Sequence, residues 1–351
     1  MFRLLGIAFG AILAVAWQRA RSGPRRPSWS FAFEALAETM RRTMSWFGSL
    51  DPPALRRAMG LLVGRAREQK DVRTRDVALA GRAATWTEPL DLRLSRVVVY
   101  VHGGGFVAGS AKQDAAFVAR LAVASGCRVV ALDYRLAPEH PCPAAIDDVV
   151  EACTALRAEG ITDLALAGVS AGAGVALAAL VAMRERGELL PSRAALISPH
   201  IDARTIAGSF AANARFDTFD ARAVSRWTQW YAAGAESGER AQVALDDPRV
   251  SPALANPGGL PPLAIHVGDA EVLLDDARAY AARATAAGVD VTLRVWPDMI
   301  HAFPTFGNGF ESANLAVAEL GAFLRAAREG PLVRVRRSEG DRESEGGRAV
   351  S

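Results

Sequence analysis

The chain has 351 residues, of which 50% are hydrophobic and 23% are charged. The length suggests two domains or one large domain with insertions, and the composition excludes a disordered, collagen-like or disulfide-stapled protein. The formal net charge is +3, but residues 1–30 carry +5 and residues 331–351 carry +1, which leaves −3 for the body between them. A mildly acidic body argues against a groove that binds nucleic acid phosphates.

The N-terminus begins with an apolar run of fourteen residues, 4–17, and most of its arginines follow that run. A helix of that length extends about 21 Å, which is shorter than the ~30 Å hydrocarbon core of a bilayer. A signal peptide is an alternative, because residues 14–16 (Ala-Val-Ala) imitate a cleavage site. Arginines after an apolar run hold the chain in the cytoplasm. We therefore favour an uncleaved helix and basic linker over residues 1–26, either on the inner membrane face or packed on its own domain.

From residue 96 onwards, short apolar strands alternate with helices, which predicts a mostly parallel sheet covered on both faces. Residues 29–60 are helical and lead into an edge hairpin near 72–94. Residues 206–241 form a second helical block rich in aromatic side chains, which is either a lid or ordinary core packing. The last residues, 331–351, have no apolar period and are expected to be a disordered tail. The three cysteines have no metal-like spacing and indicate buried thiols in a reducing compartment: Cys127, Cys142 and Cys153.

The chemistry of the chain centres on the sequence Gly168-Val169-Ser170-Ala171-Gly172, which matches the G-x-S-x-G nucleophile elbow. The serine of an elbow has a strained backbone, so its neighbours two residues away must lack a side chain. A predicted strand enters the motif and an alanine-rich helix leaves it, as the elbow requires. The N-terminus of that helix directs free N–H groups towards an anion formed beside Ser170.

A second motif, His102-Gly103-Gly104-Gly105-Phe106, follows the strand at 96–101. Three glycines let the backbone turn its N–H groups into a cleft, and with the N–H of Ala171 the loop would supply oxyanion donors. A plain turn and a phosphate loop are the alternatives, but no Lys-Ser/Thr follows as a phosphate loop needs.

The general base is expected to be His301, in the loop after the strand at 291–295. In enzymes with a serine elbow, the acid and then the histidine follow the serine along the chain. Of the five histidines, only His301 leaves a loop with suitable carboxylates between itself and Ser170, at residues 268–276.

Taken together, these motifs resemble those of a known family. The residues that carry it are the glycine loop at 102–106, Asp-Tyr-Arg-Leu-Ala-Pro-Glu-His-Pro at 133–141, Pro143-Ala144-Ala145 with Asp147-Asp148, the serine elbow, and Ile-His-Ala-Phe at 300–303. Over roughly residues 95–325 the sequence resembles the hormone-sensitive-lipase-like (family IV) bacterial carboxylesterases of the α/β-hydrolase fold. The resemblance implies a Ser-acid-His triad, no metal or other cofactor, a helical cap over the acyl pocket, and esters with small acyl groups.

The sequence departs from the family pattern at two places. Val169 stands before the serine where the family usually has Asp or Thr, and residues 172–174 read Gly-Ala-Gly instead of Gly-Gly-Asn. The family's D-P-L-x-D register falls on residues 271–275, so Glu271 occupies the acid position. A glutamate can orient an imidazole as an aspartate does, and Asp269 is the alternative acid.

The sequence therefore predicts a serine carboxylesterase of the α/β-hydrolase fold that hydrolyses short- to medium-chain esters. Residues 27–70 would form N-terminal cap helices, and residues 71–330 the catalytic domain with a cap insertion at about 203–245. A lactonase or lysophospholipase would use the same triad, while a non-catalytic receptor or a membrane-bound scaffold are alternatives of another class. The expected partners are a small-molecule ester, a membrane contacted peripherally through residues 1–26, and a second copy in a homodimer. The predicted site comprises the triad Ser170, Glu271 and His301, and the oxyanion hole Gly103, Gly104, Gly105 and Ala171.

Overall fold

The computed structural model describes residues 2–61, 70–204, 208–233 and 243–327. Its centre is an eight-stranded sheet with the order β1-β2-β4-β3-β5-β6-β7-β8. The strands are β1 Val72–Leu79, β2 Arg82–Pro89, β3 Val97–Val101, β4 Arg128–Leu132, β5 Leu164–Val169, β6 Ala194–Ile197, β7 Leu263–Gly268 and β8 Val291–Trp296. The predicted tail at 331–351 lies outside the described residues.

The sheet is antiparallel at one edge and parallel elsewhere. β1 pairs with β2 and β2 with β4 in antiparallel register, and every pair from β4 through β3 to β8 is parallel. The side chains of β3 show why this sheet needs cover on both faces. Val97, Val99 and Val101 belong to one apolar core and Val98 and Tyr100 to another, because successive side chains point to opposite faces. The predicted α/β-hydrolase fold is thus confirmed.

Ten α-helices of the described residues cover this sheet or lie beyond it. Helices α4 and α10 bury their apolar residues on one face, and α5, α6 and α9 bury theirs on the other. The helices are α1 Phe2–Ser22, α2 Phe31–Gly48, α3 Pro52–Gly60, α4 Ala115–Ser125, α5 Ala144–Ala158, α6 Ala171–Glu185, α7 Gly208–Ala212, α8 Ala221–Ala233, α9 Leu274–Ala286 and α10 Glu311–Arg325.

Helices α1, α2, α3, α7 and α8, with the segment 213–220, form what we call the cap layer. α2 packs against both α1 and α8. Its N-terminus is capped by Ser30, whose hydroxyl accepts the N–H of Phe33 at 3.1 Å. α1 extends for 21 residues, past the apolar run, and Arg19 in its last turn pairs with Glu34. In the described part of the helical block predicted at 206–241, residues 208–233, the helices α7 and α8 are separated by the irregular segment 213–220.

Candidate active site

Ser170 lies in a tight turn between β5 and α6. Its backbone has φ +56° and ψ −122°, a conformation that side-chain-bearing residues rarely adopt unless the surrounding structure enforces it. A Cβ at Gly172 would overlap the carbonyl oxygens of Val101 and His102, so only glycine allows the helix to approach β3 this closely. The strand therefore delivers Ser170 to the very start of α6, as the elbow motif predicts.

His301 links Ser170 to Glu271 by hydrogen bonds. Its Nε2 lies 2.9 Å from Ser170 Oγ, and its Nδ1 lies 3.2 Å from Glu271 Oε2. Ser170 follows β5, Glu271 follows β7 and His301 follows β8, so all three lie at the carboxyl edge of the parallel sheet, where such folds build their sites. The structure thus brings together the three side chains that the sequence predicts as a triad.

The alternative acid, Asp269, lies in the same loop as Glu271 but has other partners. Its Oδ1 accepts the backbone N–H of Asp298 at 2.7 Å and lies 2.9 Å from a guanidinium nitrogen of Arg26. Its side chain is 31% exposed, whereas that of Glu271 is completely buried. Glu271, and not Asp269, is the carboxylate that contacts His301.

The second carboxylate oxygen of Glu271 is held firmly in place. Oε1 accepts the Ser198 hydroxyl at 2.8 Å and the backbone N–H of Gly268 at 2.6 Å. Ser198 Oγ in turn accepts the N–H of Ala302 at 3.0 Å, the residue next to His301. One hydroxyl therefore connects the loop of the acid to the loop of the base, and it stabilises the orientation of both.

The charges around His301 alter its basicity. Burial opposes a positive charge on the imidazole, but the hydrogen bond to Glu271 and the charges of Glu271 and Asp217 outweigh it, so the pKa of His301 lies above its ordinary value of 6.5. His200 faces the same imidazole, and burial together with His301 lowers the pKa of His200 to about 4. His301 is thus the histidine of this site that accepts a proton most readily.

Asp217 is a buried acid at this site that the sequence analysis missed. It lies in the cap segment 213–220 and is completely buried. Its carboxylate accepts the N–H of Val272 at 2.8 Å, of His301 at 2.9 Å and of Thr218 at 2.7 Å. Val272 is the neighbour of Glu271, so Asp217 contacts the backbones of both the acid loop and the base loop. No pattern in the sequence around Asp217 distinguishes it from the other acids of that helical block.

The glycine loop faces Ser170 across the start of α6. Gly104 has φ +124°, which favours glycine. Burial raises the pKa of the nearby Asp114 carboxyl, and the backbone of Gly103 is among the groups that oppose this shift. Within the described ranges, the N–H groups of Gly104, Gly105 and Ala171 donate no hydrogen bond to another protein group. These three N–H groups are therefore free to donate hydrogen bonds to an anion beside Ser170.

A cavity of about 180 Å³ opens at Ser170 and His301. It is mostly apolar, and the cap layer supplies much of its wall. Trp227 of α8 packs so closely on Gly105 that a Cβ there would overlap the indole ring. The cap-layer residues that line it are Met44, Met59, Thr218, Phe219, Asp220, Ala223, Val224, Trp227 and Thr228. The sequence predicts the aromatic block at 206–241 as a lid or as core packing, and its described part, residues 208–233, does both: it packs on the body and lines the cavity.

Other potential bases and nucleophiles, His266 and the three cysteines, lie in environments that suit a structural role. Nδ1 of His266 accepts the indole N–H of Trp296 at 3.2 Å, and burial lowers the pKa of His266 to about 4. All three cysteines are buried, and burial raises the pKa of Cys142 to about 11 and of Cys153 to about 12. In the part of the chain that the structure describes, no group of three or more His, Cys, Asp or Glu side chains could hold a metal ion.

A mostly parallel sheet with a strained serine elbow and an adjoining histidine–carboxylate pair defines an α/β-hydrolase-type enzyme. Comparison with known proteins agrees: residues 98–305 match the model of a family described by its alpha/beta hydrolase fold, and the chain belongs to that family. It is 38% identical over 256 residues to an acetyl-hydrolase of Streptomyces hygroscopicus, covering 72% of this chain and 83% of the relative. It is 32% identical over 300 residues to an esterase of Acinetobacter venetianus, covering 84% of this chain and 96% of the relative.

A solved structure narrows the family further. The chain is 37% identical to an esterase from the bacterial hormone-sensitive lipase family, with a TM-score of 0.73, over 82% of this chain and 97% of that one. The resemblance predicted from the motifs is therefore confirmed. The protein is a hormone-sensitive-lipase-like carboxylic ester hydrolase.

Proposed function

We propose that the protein hydrolyses short- to medium-chain acyl esters, with Ser170 as nucleophile, His301 as general base and Glu271 as triad acid. The observation that supports this most directly is the continuous hydrogen-bonded chain from Glu271 Oε2 through His301 to Ser170 Oγ. It lies in the wall of a small, mostly apolar cavity, which favours a short acyl group over a long one.

In the first half of the reaction, Ser170 Oγ attacks the ester carbonyl carbon while His301 Nε2 takes the hydroxyl proton. Glu271 holds the Nδ1–H tautomer and stabilises the imidazolium that forms. His301 then gives the proton to the leaving alcohol, and the acyl group remains on Ser170. A water molecule, deprotonated by His301, attacks the acyl-enzyme. His301 then returns that proton to Ser170 Oγ as the acyl–oxygen bond breaks and the acid product leaves.

The tetrahedral intermediates carry a negative oxygen. Gly104, Gly105 and Ala171 offer N–H groups with no protein acceptor among the described residues, and Gly103 shapes the turn. Donors that are already oriented stabilise the developing charge without reorganisation, and the loss of one costs about 10²–10³ in rate.

The test is hydrolysis of p-nitrophenyl esters with two to twelve acyl carbons by wild type, Ser170→Ala, Glu271→Gln and Asp269→Asn. Activity should be lost in Ser170→Ala and fall about 10²–10⁴-fold in Glu271→Gln. Asp269→Asn makes the same change in the same loop and should keep near-wild-type activity. The chain-length optimum should lie at the short end of the series.

Each alternative to this proposal predicts a different result in the same test. Loss of activity in Asp269→Asn with survival in Glu271→Gln would move the acid to Asp269. Preference for lactones or lysophospholipids over every p-nitrophenyl ester would change the substrate class and keep the triad. Absence of turnover with any ester by folded wild type would overturn the proposal.

A further inference from the structure

Helix α1 exposes a stripe of large apolar side chains. Eleven large apolar side chains are exposed among the described residues, and five of them lie on this one helix: Leu5, Phe9, Ile12, Leu13 and Trp17. Their spacing places them on a single face, and Phe9 and Trp17 are 65% and 64% exposed. A contiguous apolar patch of this kind on a folded protein marks an interaction surface.

Ion pairs beneath the helix fix the direction of this face. Ala11 and Val15 are buried on the opposite side. Arg19 lies 2.8 Å from Glu34, and Arg25, just after the helix, lies 2.8 Å from Glu38. Both glutamates are buried on α2. Rolling the apolar stripe inward would separate these buried carboxylates from their partners, which is costly, so the stripe faces outward as a fixed feature of the fold.

The charges around the stripe are basic. Residues 2–50 contain seven arginines, two glutamates and no lysine or aspartate, and the two glutamates are the buried pair on α2. Arg3 and Arg21 are exposed. They are 18 residues apart, which is about five helical turns, so they lie along one flank of the stripe. The Arg21 guanidinium lies 4.5 Å from the centre of the Trp17 ring, a pairing suited to a membrane–water interface.

We propose that the outer face of α1 binds an anionic lipid bilayer, with its apolar stripe in the boundary between headgroups and acyl chains. The docked helix lies along the protein, so it rests in the membrane plane instead of crossing it. A second copy of the chain is a poorer occupant, because two such basic surfaces would repel each other. Since α2 packs on α1 and contributes Met44 to the cavity wall, binding would hold the cap layer close to membrane-dissolved esters. The surface does not depend on the proposed catalytic roles.

The test is flotation of the full-length protein with vesicles of phosphatidylcholine alone or mixed with phosphatidylglycerol. Leu13→Glu places a charge in the stripe, and Leu315→Glu is its matched control, because Leu13 and Leu315 are 54% and 51% exposed. Wild type and Leu315→Glu should float with the anionic vesicles, and Leu13→Glu should bind about tenfold or more weakly. Binding should also weaken as salt rises.

Several results would overturn the membrane proposal. Failure of wild type to float with anionic vesicles is one, and equal loss in both leucine variants is another. A dimer in gel filtration that Leu13→Glu dissociates, without vesicle binding, would assign the stripe to a second copy. Hydrolysis of a soluble p-nitrophenyl ester by Leu13→Glu separates this question from the catalytic one, because that activity should stay unchanged.

We also infer, from a separate observation, that Asp217 is a positioning residue through which the cap layer holds both halves of the acid–base pair. Its one carboxylate accepts the N–H of His301 and the N–H of Val272, next to Glu271. It is completely buried, and its charge adds to that of Glu271 in favouring the imidazolium. The titratable groups that face His301 are Glu271, Asp217 and His200. Burial raises the pKa of both carboxyls and lowers the pKa of His200 to about 4.

The test compares Asp217→Asn with Asp247→Asn, which makes the same change at a residue outside the cap layer that is paired with Arg249. In Asp217→Asn one backbone N–H loses its acceptor, and kcat should fall roughly tenfold or more. The acid limb of the kcat/KM profile should move to lower pH, because His301 loses an anion that favours its protonated form. Asp247→Asn should change neither quantity. A fall in kcat with no movement of the acid limb, or wild-type kcat in Asp217→Asn, would contradict this role.

Discussion

The α/β body and the cap layer use different interactions for stability. In the body, apolar strands such as β3 are buried on both faces. In the cap layer, α1 docks on α2 through arginine–glutamate pairs and leaves its most apolar face outside. The sheet around β3 therefore depends on close packing, which tolerates no added volume, whereas the docking of α1 on α2 includes charge pairs, which respond to pH.

The largest expected contrast is in the free energy of unfolding, between a Gly→Ala substitution in the body and one in the cap layer. Gly172→Ala puts a Cβ against the carbonyl oxygens of Val101 and His102, and backbone cannot move aside cheaply. We expect a loss of about 3 kcal/mol or more in the free energy of unfolding. Gly6→Ala on α1 meets open space and should be neutral or stabilise the helix by up to ~1 kcal/mol. Urea unfolding measures the free energy of unfolding of both variants. Equal changes in the two would contradict the difference described between the body and the cap layer.

The next effect concerns the charge pairs of the cap layer. Glu34→Gln leaves Arg19 without its buried anion, and it leaves Arg25 with Glu38 alone. Both arginine side chains are about a quarter exposed or less. We expect docking of α1 to weaken by about 1–3 kcal/mol, seen as faster proteolysis around residue 23. Asp91→Asn breaks an exposed pair with Arg93 and should have almost no effect. Unchanged proteolysis in Glu34→Gln would show that apolar contacts alone hold α1.

Acid should release the cap layer before it unfolds the body. Burial disfavours the charge on Glu38, but hydrogen bonds from Arg41, Arg42 and Arg25 lower its pKa from 4.5 to about 2. A lowered folded-state pKa gives stability that is present above pH 4.5 and is lost as the pH falls through about 2. Hydrogen exchange of α1 and α2 should rise across this window ahead of exchange in β3. Simultaneous exchange in both regions would contradict the prediction.

The smallest effect is the pH dependence of the site itself. His301 must be neutral to act as a base, and its pKa lies above the ordinary 6.5. The acid limb of kcat/KM for a soluble ester should therefore have its midpoint above pH 6.5. The same raised pKa gives the folded state stability that is present below pH 6.5 and is lost as the pH rises through the pKa of His301. A midpoint at or below 6.5 would contradict the charge balance described for the site.

The amino-acid sequence by itself determined the fold class, the serine elbow, the glycine loop and the order of Ser170, acid and His301. Each of these depends on local properties: apolar runs of strand length, glycines where backbone must approach backbone, and motifs that follow a strand. Such features can be read because a neighbouring residue, not a distant one, creates the physical requirement. Glu271 was assigned from a family register, with Asp269 still open.

Only the tertiary structure decided which of the two acids reaches His301, because both lie in one loop and their spacing is compatible with either. The tertiary structure also decided the role of Asp217, whose partners follow it by 55 and 84 residues. The same holds for the exposed face of α1. An apolar run that is hydrophobic nearly all round does not reveal its outer side, and the arginine–glutamate pairs that orient it join α1 and the linker after it to α2. Contacts between distant segments are set by strand order and helix docking, and no local periodicity contains that information.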